Sequence, residues 1–115
     1  MMPDAVLAVR CQLGDEDAFD TLVERFHPAL YNYARRLTGS DDAASDAVQD
    51  VWVRVVRGLP LLREPERLRA WIFGIAHRTL MDRLRDRYAT REVSGGDMSE
   101  QAAEPVDLSA EEESA

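Results

Sequence analysis

The stretch DAVQDVWVRV at residues 46–55 decides the fold, because it has the pattern of an amphipathic helix with two different faces. One face carries Asp46, Gln49, Asp50 and Val53 at offsets 0, 3, 4 and 7, which is a single stripe along an α-helix. Carboxylates accept bidentate guanidinium bonds, so this stripe suits an arginine-rich helical partner, although an ordinary solvated face has the same spacing. The opposite, apolar face predicts burial in a core; it consists of Ala44, Ala47, Val48, Val51, Trp52 and Val55.

Upstream of this helix, the sequence predicts two more. The first starts at Pro3-Asp4 and ends before Gly14. Asp15 then caps a longer helix that ends at Gly39, and Pro28 is expected to kink that helix or divide it in two. The longer helix has an apolar stripe at three- and four-residue steps, formed by Phe19, Leu22, Val23, Phe26, Leu30, Tyr33, Ala34 and Leu37.

Downstream, the quoted helix ends at Gly58-Leu59-Pro60, and Pro65 and Glu66 open a fourth helix that runs through about Tyr88. No alternating run of β-formers and no hairpin signal competes with this interpretation. The sequence therefore predicts an all-α fold, a bundle of about four helices.

Charge is distributed unevenly along the chain. Its 115 residues, 45% of them hydrophobic, suffice for one domain with a real core, and its net charge of −8 alone argues against nucleic-acid binding. Residues 1–62 hold six arginines and ten acids, residues 63–91 hold eight arginines and four acids, and residues 92–115 hold eight acids and no base. We predict a helical domain over 1–91, with an acidic and a basic half, followed by a flexible acidic tail or inter-domain linker over 92–115.

Several classes of function find no support in the sequence. Cys11 is the single cysteine, so no intrachain disulfide forms, and its apolar surroundings predict a buried small hydrophobe. No apolar run approaches the ~18 residues that span a bilayer, and the N-terminus lacks the features of a signal peptide. We expect a cytoplasmic, non-enzymatic protein without catalytic residues, metal, cofactor, small-molecule substrate or membrane contact.

The fourth helix carries the more unusual pattern. Arg67, Trp71, Gly74, Arg78 and Arg85 lie within about 40° of one line at 100° per residue. Single-stranded nucleic acid requires this combination, since guanidinium groups neutralise phosphates, the indole stacks on an unpaired base and glycine allows close approach. The alternative is that Trp71 lies at the edge of the core and the arginines solvate the helix. Three further arginines extend the positive charge: Arg83, Arg87 and Arg91.

Residues 15–91 resemble region 2 of a bacterial RNA polymerase sigma factor, in the extracytoplasmic-function group of the sigma-70 family. Each motif alone is weak, but their order and separations make the resemblance specific. The segments that carry it are GDEDAF at 14–19, LTG at 37–39, DAVQDVWVRV at 46–55, LRAWIFGIAHR at 68–78 and DRLR at 82–85.

The resemblance implies two binding surfaces on a helical domain. The third helix would dock on the clamp helices of the polymerase largest subunit, through Asp46, Gln49, Asp50, Val53 and Arg54. The fourth helix and the loop before it would recognise and melt the promoter −10 element by capturing flipped non-template bases. The residues predicted for that DNA surface are Arg67, Arg69, Trp71, Gly74, Arg78, Arg83, Arg85 and Arg87.

The sequence departs from the family pattern at four points. Asp50 replaces the usual glutamate, Ser45 stands where glutamate is common, and Arg78 stands where asparagine often reads a base edge. Region 4, the −35 binding domain, is missing, so we expect either an isolated region 2 or a naturally short protein. The implied partners are the RNA polymerase core, promoter DNA and an anti-sigma factor. The alternative is a helical interaction domain bound by an anti-sigma factor, without DNA binding of its own.

Overall fold

Four α-helices form the part of the chain that the computed structural model describes, which is residues 1–91 with side chains through Arg87. They are α1 (Asp4–Gln12), α2 (Glu16–Thr38), α3 (Asp41–Gly58) and α4 (Leu68–Arg91). Two short 3-10 turns, Leu59–Leu61 and Pro65–Arg67, connect α3 to α4. No strand occurs in residues 1–91, so the predicted all-α, four-helix fold is confirmed. The predicted tail over 92–115 lies outside the described residues.

The helix ends lie where the capping residues predict them. The side chain of Asp15 accepts a hydrogen bond from the backbone N–H of Ala18 at the start of α2, and Ser40 does the same for Ala43 at the start of α3. Gly39 ends α2 with a φ of 81°, a left-handed conformation that favours glycine. Gly39 and Ser40 together form the tight turn between α2 and α3, while Asp15 fixes the start of α2 after α1.

Pro28 does not divide α2 in two, so of the two outcomes expected for it, a kink or a division, the division was wrong. The helix is continuous from Glu16 to Thr38. Proline removes one backbone donor, whose acceptor would be the carbonyl of Glu24, and both residues are exposed, so water can satisfy that carbonyl. Phe26 and Leu30 are buried on either side of the proline and anchor both halves of the helix in one core.

The fourth helix begins three residues later than Pro65. Pro65–Arg67 is a 3-10 turn in which the N–H of Arg67 donates to the carbonyl of Glu64 over 2.8 Å, and α4 starts at Leu68. Proline at the first position of a tight turn has no donor to satisfy, which favours this shorter element. Arg67 therefore precedes the helix that was expected to carry it.

The core lies where all four helices meet. Its largest fully buried side chains are Leu7 from α1, Phe26, Leu22 and Leu30 from α2, Val48, Val51 and Val55 from α3, and Leu68, Ile72 and Leu80 from α4. Cys11 packs against this core and is half-buried, and burial raises the pKa of its thiol. Across residues 1–91, none of the helices is long and apolar enough to cross a membrane.

The connection between α3 and α4 is fastened to α1 by one side chain. The amide nitrogen of Gln12 donates to the carbonyl oxygens of Leu59 and Leu62, at 3.0 and 2.9 Å. Both acceptors are backbone groups of the loop; the carbonyl of Leu59 also accepts from the backbone N–H of Leu62 at 3.1 Å, whereas that of Leu62 would otherwise depend on water. Gln12 therefore positions the loop that precedes α4, a role that sequence periodicity alone did not indicate.

Candidate functional site

The polar stripe on α3 is solvent-accessible along its length. Asp46, Gln49 and Val53 are exposed, while Asp50 and Arg54 are partly covered. Val56 is 50% exposed and continues the stripe by one turn beyond Val53. The sequence analysis missed Val56, although its i+3 spacing from Val53 carried the signal. An exposed pair of valines beside carboxylates and an amide gives α3 a mixed apolar and acidic surface for a partner helix.

A network of ion pairs joins this stripe to α4, and we call it the α3–α4 ion network. Its six members are Asp46, Asp50 and Arg54 on α3, and Asp82, Arg83 and Arg85 on α4. One guanidinium, that of Arg83, reaches both Asp46 at 2.7 Å and Asp50 at 3.5 Å.

The rest of the network continues from Asp50 towards Asp82. Arg54 lies 3.4 Å from Asp50 on its own helix and 3.8 Å from Asp82 across the interface. Arg85 pairs with Asp82 one turn earlier on α4. The network lies along a groove of about 510 Å³ between the two helices. Arg83 and Arg85, which were predicted to contact DNA, therefore contact carboxylates in the free chain.

Two further arginines predicted to bind DNA, Arg67 and Arg69, pair with acids of the chain. Arg67 pairs with Glu64 at 3.8 Å within the loop. The guanidinium of Arg69 lies 5.0 Å from the centre of the Phe26 ring and 4.0 Å from Asp4. Because a two-residue step turns a helix by about 200°, Arg69 points away from Trp71. Its contacts fasten the start of α4 to α1 and α2.

Trp71 is half-buried and packs against the end of α3. A Cβ atom added to Gly58 would lie 2.9 Å from Cζ2 of the indole, so the ring needs a glycine at position 58. One side of the indole thus packs against the protein, and Trp71 lies at the edge of the core. The sequence analysis treated Gly58 only as a helix terminator and missed its contact with Trp71.

One turn along α4, Gly74 borders open space. No heavy atom lies within 4 Å of a Cβ built at Gly74, so the glycine is not required by packing within residues 1–91. Arg78 follows after another turn; its side chain is exposed and makes no ion pair with any described residue. Trp71, Gly74 and Arg78, at offsets 0, 3 and 7, form one accessible face of α4, which we call the α4 face. Arg87 is exposed near the far end of α4 and lines the groove.

His77 supports α4 from the inside. Its Nδ1 is hydrogen-bonded to the hydroxyl of Tyr33 on α2 at 2.9 Å, which gives this histidine a packing role. At the start of α3, Asp41 accepts hydrogen bonds from the Tyr31 hydroxyl at 2.7 Å and from Arg35 at 2.8 Å. These two bonds lower the pKa of Asp41 below its ordinary value of 3.8, and Asp41 in turn raises the pKa of Tyr31.

Among residues 1–91, no group of three or more histidine, cysteine, aspartate or glutamate side chains is arranged to hold a metal ion. The described surface instead offers an acidic stripe with apolar neighbours on α3 and an aromatic and cationic face on α4.

Comparisons with known proteins show what this chain is similar to. The family profile of Sigma-70 region 2 matches residues 22–90. The extracytoplasmic-function RNA polymerase sigma factor SigM of Mycobacterium tuberculosis is 34% identical over 82 residues, which are 71% of this chain and 42% of that protein. The sigma-E factor of Escherichia coli K12 is 32% identical over 78 residues, 68% of this chain and 40% of its own length.

A third relative, SigW of Bacillus subtilis, is 28% identical over 86 residues, 71% of this chain and 46% of that protein. The chain thus spans less than half the length of the curated relatives that it matches. No solved structure gives a significant match.

Proposed function

The chain belongs to the Sigma-70 region 2 family, in its extracytoplasmic-function group, and from this premise we propose that it is a transcription initiation module with two binding surfaces. In this proposal residues 1–91 are the functional domain, and residues 92–115 are a tail or linker. The partners are the RNA polymerase core and promoter DNA in the cytoplasm, and the role is one of binding without catalysis.

Docking on the clamp helices of the polymerase largest subunit is assigned to the stripe on α3. The observation that carries this assignment is the exposure of Asp46, Gln49 and Val53 on one side of a helix whose other side is buried. Carboxylates and an amide offer acceptors to guanidinium groups, and Val53 adds apolar area at the centre of the contact. Arg54 belongs to the same surface through its contact with Asp50.

Recognition of the unpaired −10 strand is assigned to the α4 face. Trp71 offers the exposed part of its indole for stacking on an unpaired base, and Arg78 offers a guanidinium without an ion-pair partner among the described residues. The open space beside Gly74 lets a nucleotide approach the backbone. Arg78 has donors but no acceptor, so it contacts a phosphate or an acceptor edge of a base.

The docking test measures binding of the full chain to a purified clamp-helix fragment of the polymerase. Asp50→Arg and Gln49→Ala should each weaken binding, and Asp50→Arg by at least tenfold, because a buried or half-buried like charge at an interface costs several kcal/mol. Asp20→Arg, an equal charge change at an exposed position of α2, is the control. Equal affinities for the wild-type chain and Asp50→Arg would overturn the docking assignment.

The DNA test uses single-stranded −10 oligonucleotides. Trp71→Ala combined with Arg78→Ala should reduce affinity by about ten- to a hundredfold, since one stacked base contributes about 1–3 kcal/mol. Asn32→Ala on the exposed side of α2 serves as the control. Unchanged affinity of the double variant would remove the DNA role from the α4 face.

A second candidate function is an interaction domain that an anti-sigma factor holds and that does not bind DNA itself. The observation in its favour is that four of the eight predicted DNA residues pair with acids of the chain, namely Arg67, Arg69, Arg83 and Arg85. Salt dependence separates the two candidates. A log–log slope near zero for oligonucleotide binding favours the interaction domain, and a slope of two or more in magnitude favours the DNA role.

A further inference from the structure

Arg83 occupies the two carboxylates that the proposed docking surface offers. Its two terminal nitrogens contact different acids, Nη2 with Asp46 at 2.7 Å and Nη1 with Asp50 at 3.5 Å. Asp46 and Asp50 are one turn apart on α3, and a single planar guanidinium spans them. The two carboxylates are therefore spaced to pair with the two terminal nitrogens of one guanidinium group, the fork of an arginine side chain. In the free chain, Arg83 on α4 supplies that fork.

We propose that Arg83 is an internal competitor that sets the affinity of the docking surface. This inference rests on the proposed docking function. An arginine of the partner has to displace Arg83 from Asp46 and Asp50 before it can form its own bidentate contacts. A partner that offers lysine supplies a point charge instead of a fork, so it replaces the bonds of Arg83 incompletely.

Displacing Arg83 from the two carboxylates costs little free energy, because all three side chains are solvent-accessible. The side chains of Arg83, Asp46 and Asp50 are 36%, 66% and 32% accessible, so water screens both ion pairs. Asp50 also keeps its contact with Arg54 when Arg83 leaves, at 3.4 Å on the same helix. Arg83 thus lowers docking affinity by a modest factor and does not block it.

The neighbouring contacts show where Arg83 can go. Asp82, the preceding residue of α4, is already paired with Arg85 and with Arg54. A displaced Arg83 side chain therefore turns to solvent, to Asp86 one turn along α4 in the same groove, or to a ligand on α4. The same side chain was predicted to contact DNA, so its release adds one cation to that helix.

The experiment measures dissociation constants for the full chain and the clamp-helix fragment at low salt. Arg83→Gln should bind about two- to tenfold more tightly than the wild-type chain, because it leaves both carboxylates open. Arg83→Lys keeps the charge but loses the fork, and its affinity should lie between the two. Arg36→Gln removes an equal charge at an exposed site of α2 that has no ion pair with described residues, and should change affinity by less than about twofold.

A second arm replaces arginines of the fragment with lysine. This change should weaken the Arg83→Gln complex by at least as large a factor as the wild-type complex, because either partner has to displace Arg83 from the wild-type chain and Arg83 re-forms its own ion pairs where the partner's lysine pairs poorly. If the wild-type chain binds the fragment and Arg83→Gln binds equally or more weakly, the inference is overturned while the docking function stands. If neither binds, the proposed docking function itself fails. Should Arg83→Gln lose helix content, the Arg83→Lys comparison and the lysine fragment decide the question.

Discussion

The guanidinium of Arg83 lies 2.7 Å from the carboxylate of Asp46, although 37 residues separate them in sequence. This contact joins the helix proposed to bind polymerase to the helix proposed to bind DNA. It also gives the two surfaces a shared group, because Arg83 cannot contact Asp46 and a phosphate at full strength simultaneously. Docking and strand binding are therefore expected to influence one another.

The first prediction concerns that coupling. Addition of a single-stranded −10 oligonucleotide should raise the affinity of the chain for the clamp-helix fragment by about two- to fivefold, because phosphate draws Arg83 away from Asp46. Coupling between two binding sites is reciprocal, so the fragment should raise oligonucleotide affinity by the same factor. Titration calorimetry with each ligand in the presence and absence of the other measures both factors.

Arg83→Gln provides the control for this coupling. With the shared side chain removed, the two ligands should bind independently, and the factor should fall to about one. A coupling factor that persists in Arg83→Gln would mean that another route connects the two helices.

The second prediction concerns the packing of the Trp71 ring against Gly58. Gly58→Ala places a methyl group 2.9 Å from Cζ2 of the indole and should lower the free energy of unfolding by about 1–2 kcal/mol, because the ring has to move off α3. Urea denaturation measures the stability. Tryptophan emission in a Trp52→Phe background reports on the indole itself, and its maximum should shift to longer wavelength. An unshifted emission maximum would contradict this packing of the ring against Gly58.

The third prediction is that Gly74→Ala raises the stability of the chain and weakens its binding to DNA. The substitution meets open space in a helix, so the free energy of unfolding should rise by about 0.5–1 kcal/mol. The added methyl group occupies space proposed for a nucleotide, so affinity for the −10 oligonucleotide should fall by about three- to tenfold. A variant that is stabilised but binds DNA as before would show that the nucleotide does not approach at this turn.

Local features of the fold were accessible from the sequence, because capping and periodicity act within a few residues. Asp15, Ser40 and Gly39 end or begin helices as their side chains or φ preference require. The all-α fold and the polar stripe on α3 follow from the same short-range rules. Family membership was also accessible, since it depends on the order of motifs along the chain.

Contacts between distant residues were not accessible in this way. Periodicity placed Arg83 on α4, but its choice of Asp46 over solvent depends on the distance and rotation of α3 against α4. Likewise, the bonds of Gln12 cross 47 and 50 positions of sequence. The 3-10 turn at Pro65 moved Arg67 off the helix, because proline favours either type of first turn and the neighbouring contacts decide between them.

The fourth prediction follows from the carboxylate of Asp41. Its pKa in the folded chain is lowered by the Tyr31 hydroxyl and by Arg35, so the ionised form stabilises the fold above the ordinary value of 3.8. That contribution is lost as pH falls through the lowered pKa. Asp41→Asn should therefore be less stable than the wild-type chain at pH 7, and the gap should close as pH falls from 7 to below the ordinary pKa of 3.8. Urea midpoints across this range measure the gap, and Asp42→Asn, whose side chain makes no hydrogen bond with described residues, should show a smaller one.

The last prediction concerns the loop that Gln12 holds. Gln12→Glu keeps the shape of the side chain but removes both donors, and it places a carboxylate beside the carbonyls of Leu59 and Leu62. The free energy of unfolding should fall by about 1–3 kcal/mol, since the carbonyl of Leu62 loses the bond from Gln12, that of Leu59 keeps only its bond from the N–H of Leu62, and a carboxylate now faces both oxygens. Amides of the loop between α3 and α4 should exchange hydrogen faster, while those in the middle of α2 change only in proportion to global stability. Asn32→Asp, an amide-to-acid change at an exposed position, is the control.

Because the loop leads into Trp71, oligonucleotide affinity should fall in Gln12→Glu while affinity for the clamp-helix fragment is retained. Loss of both affinities together would indicate a general loss of structure and would contradict a positioning role for Gln12.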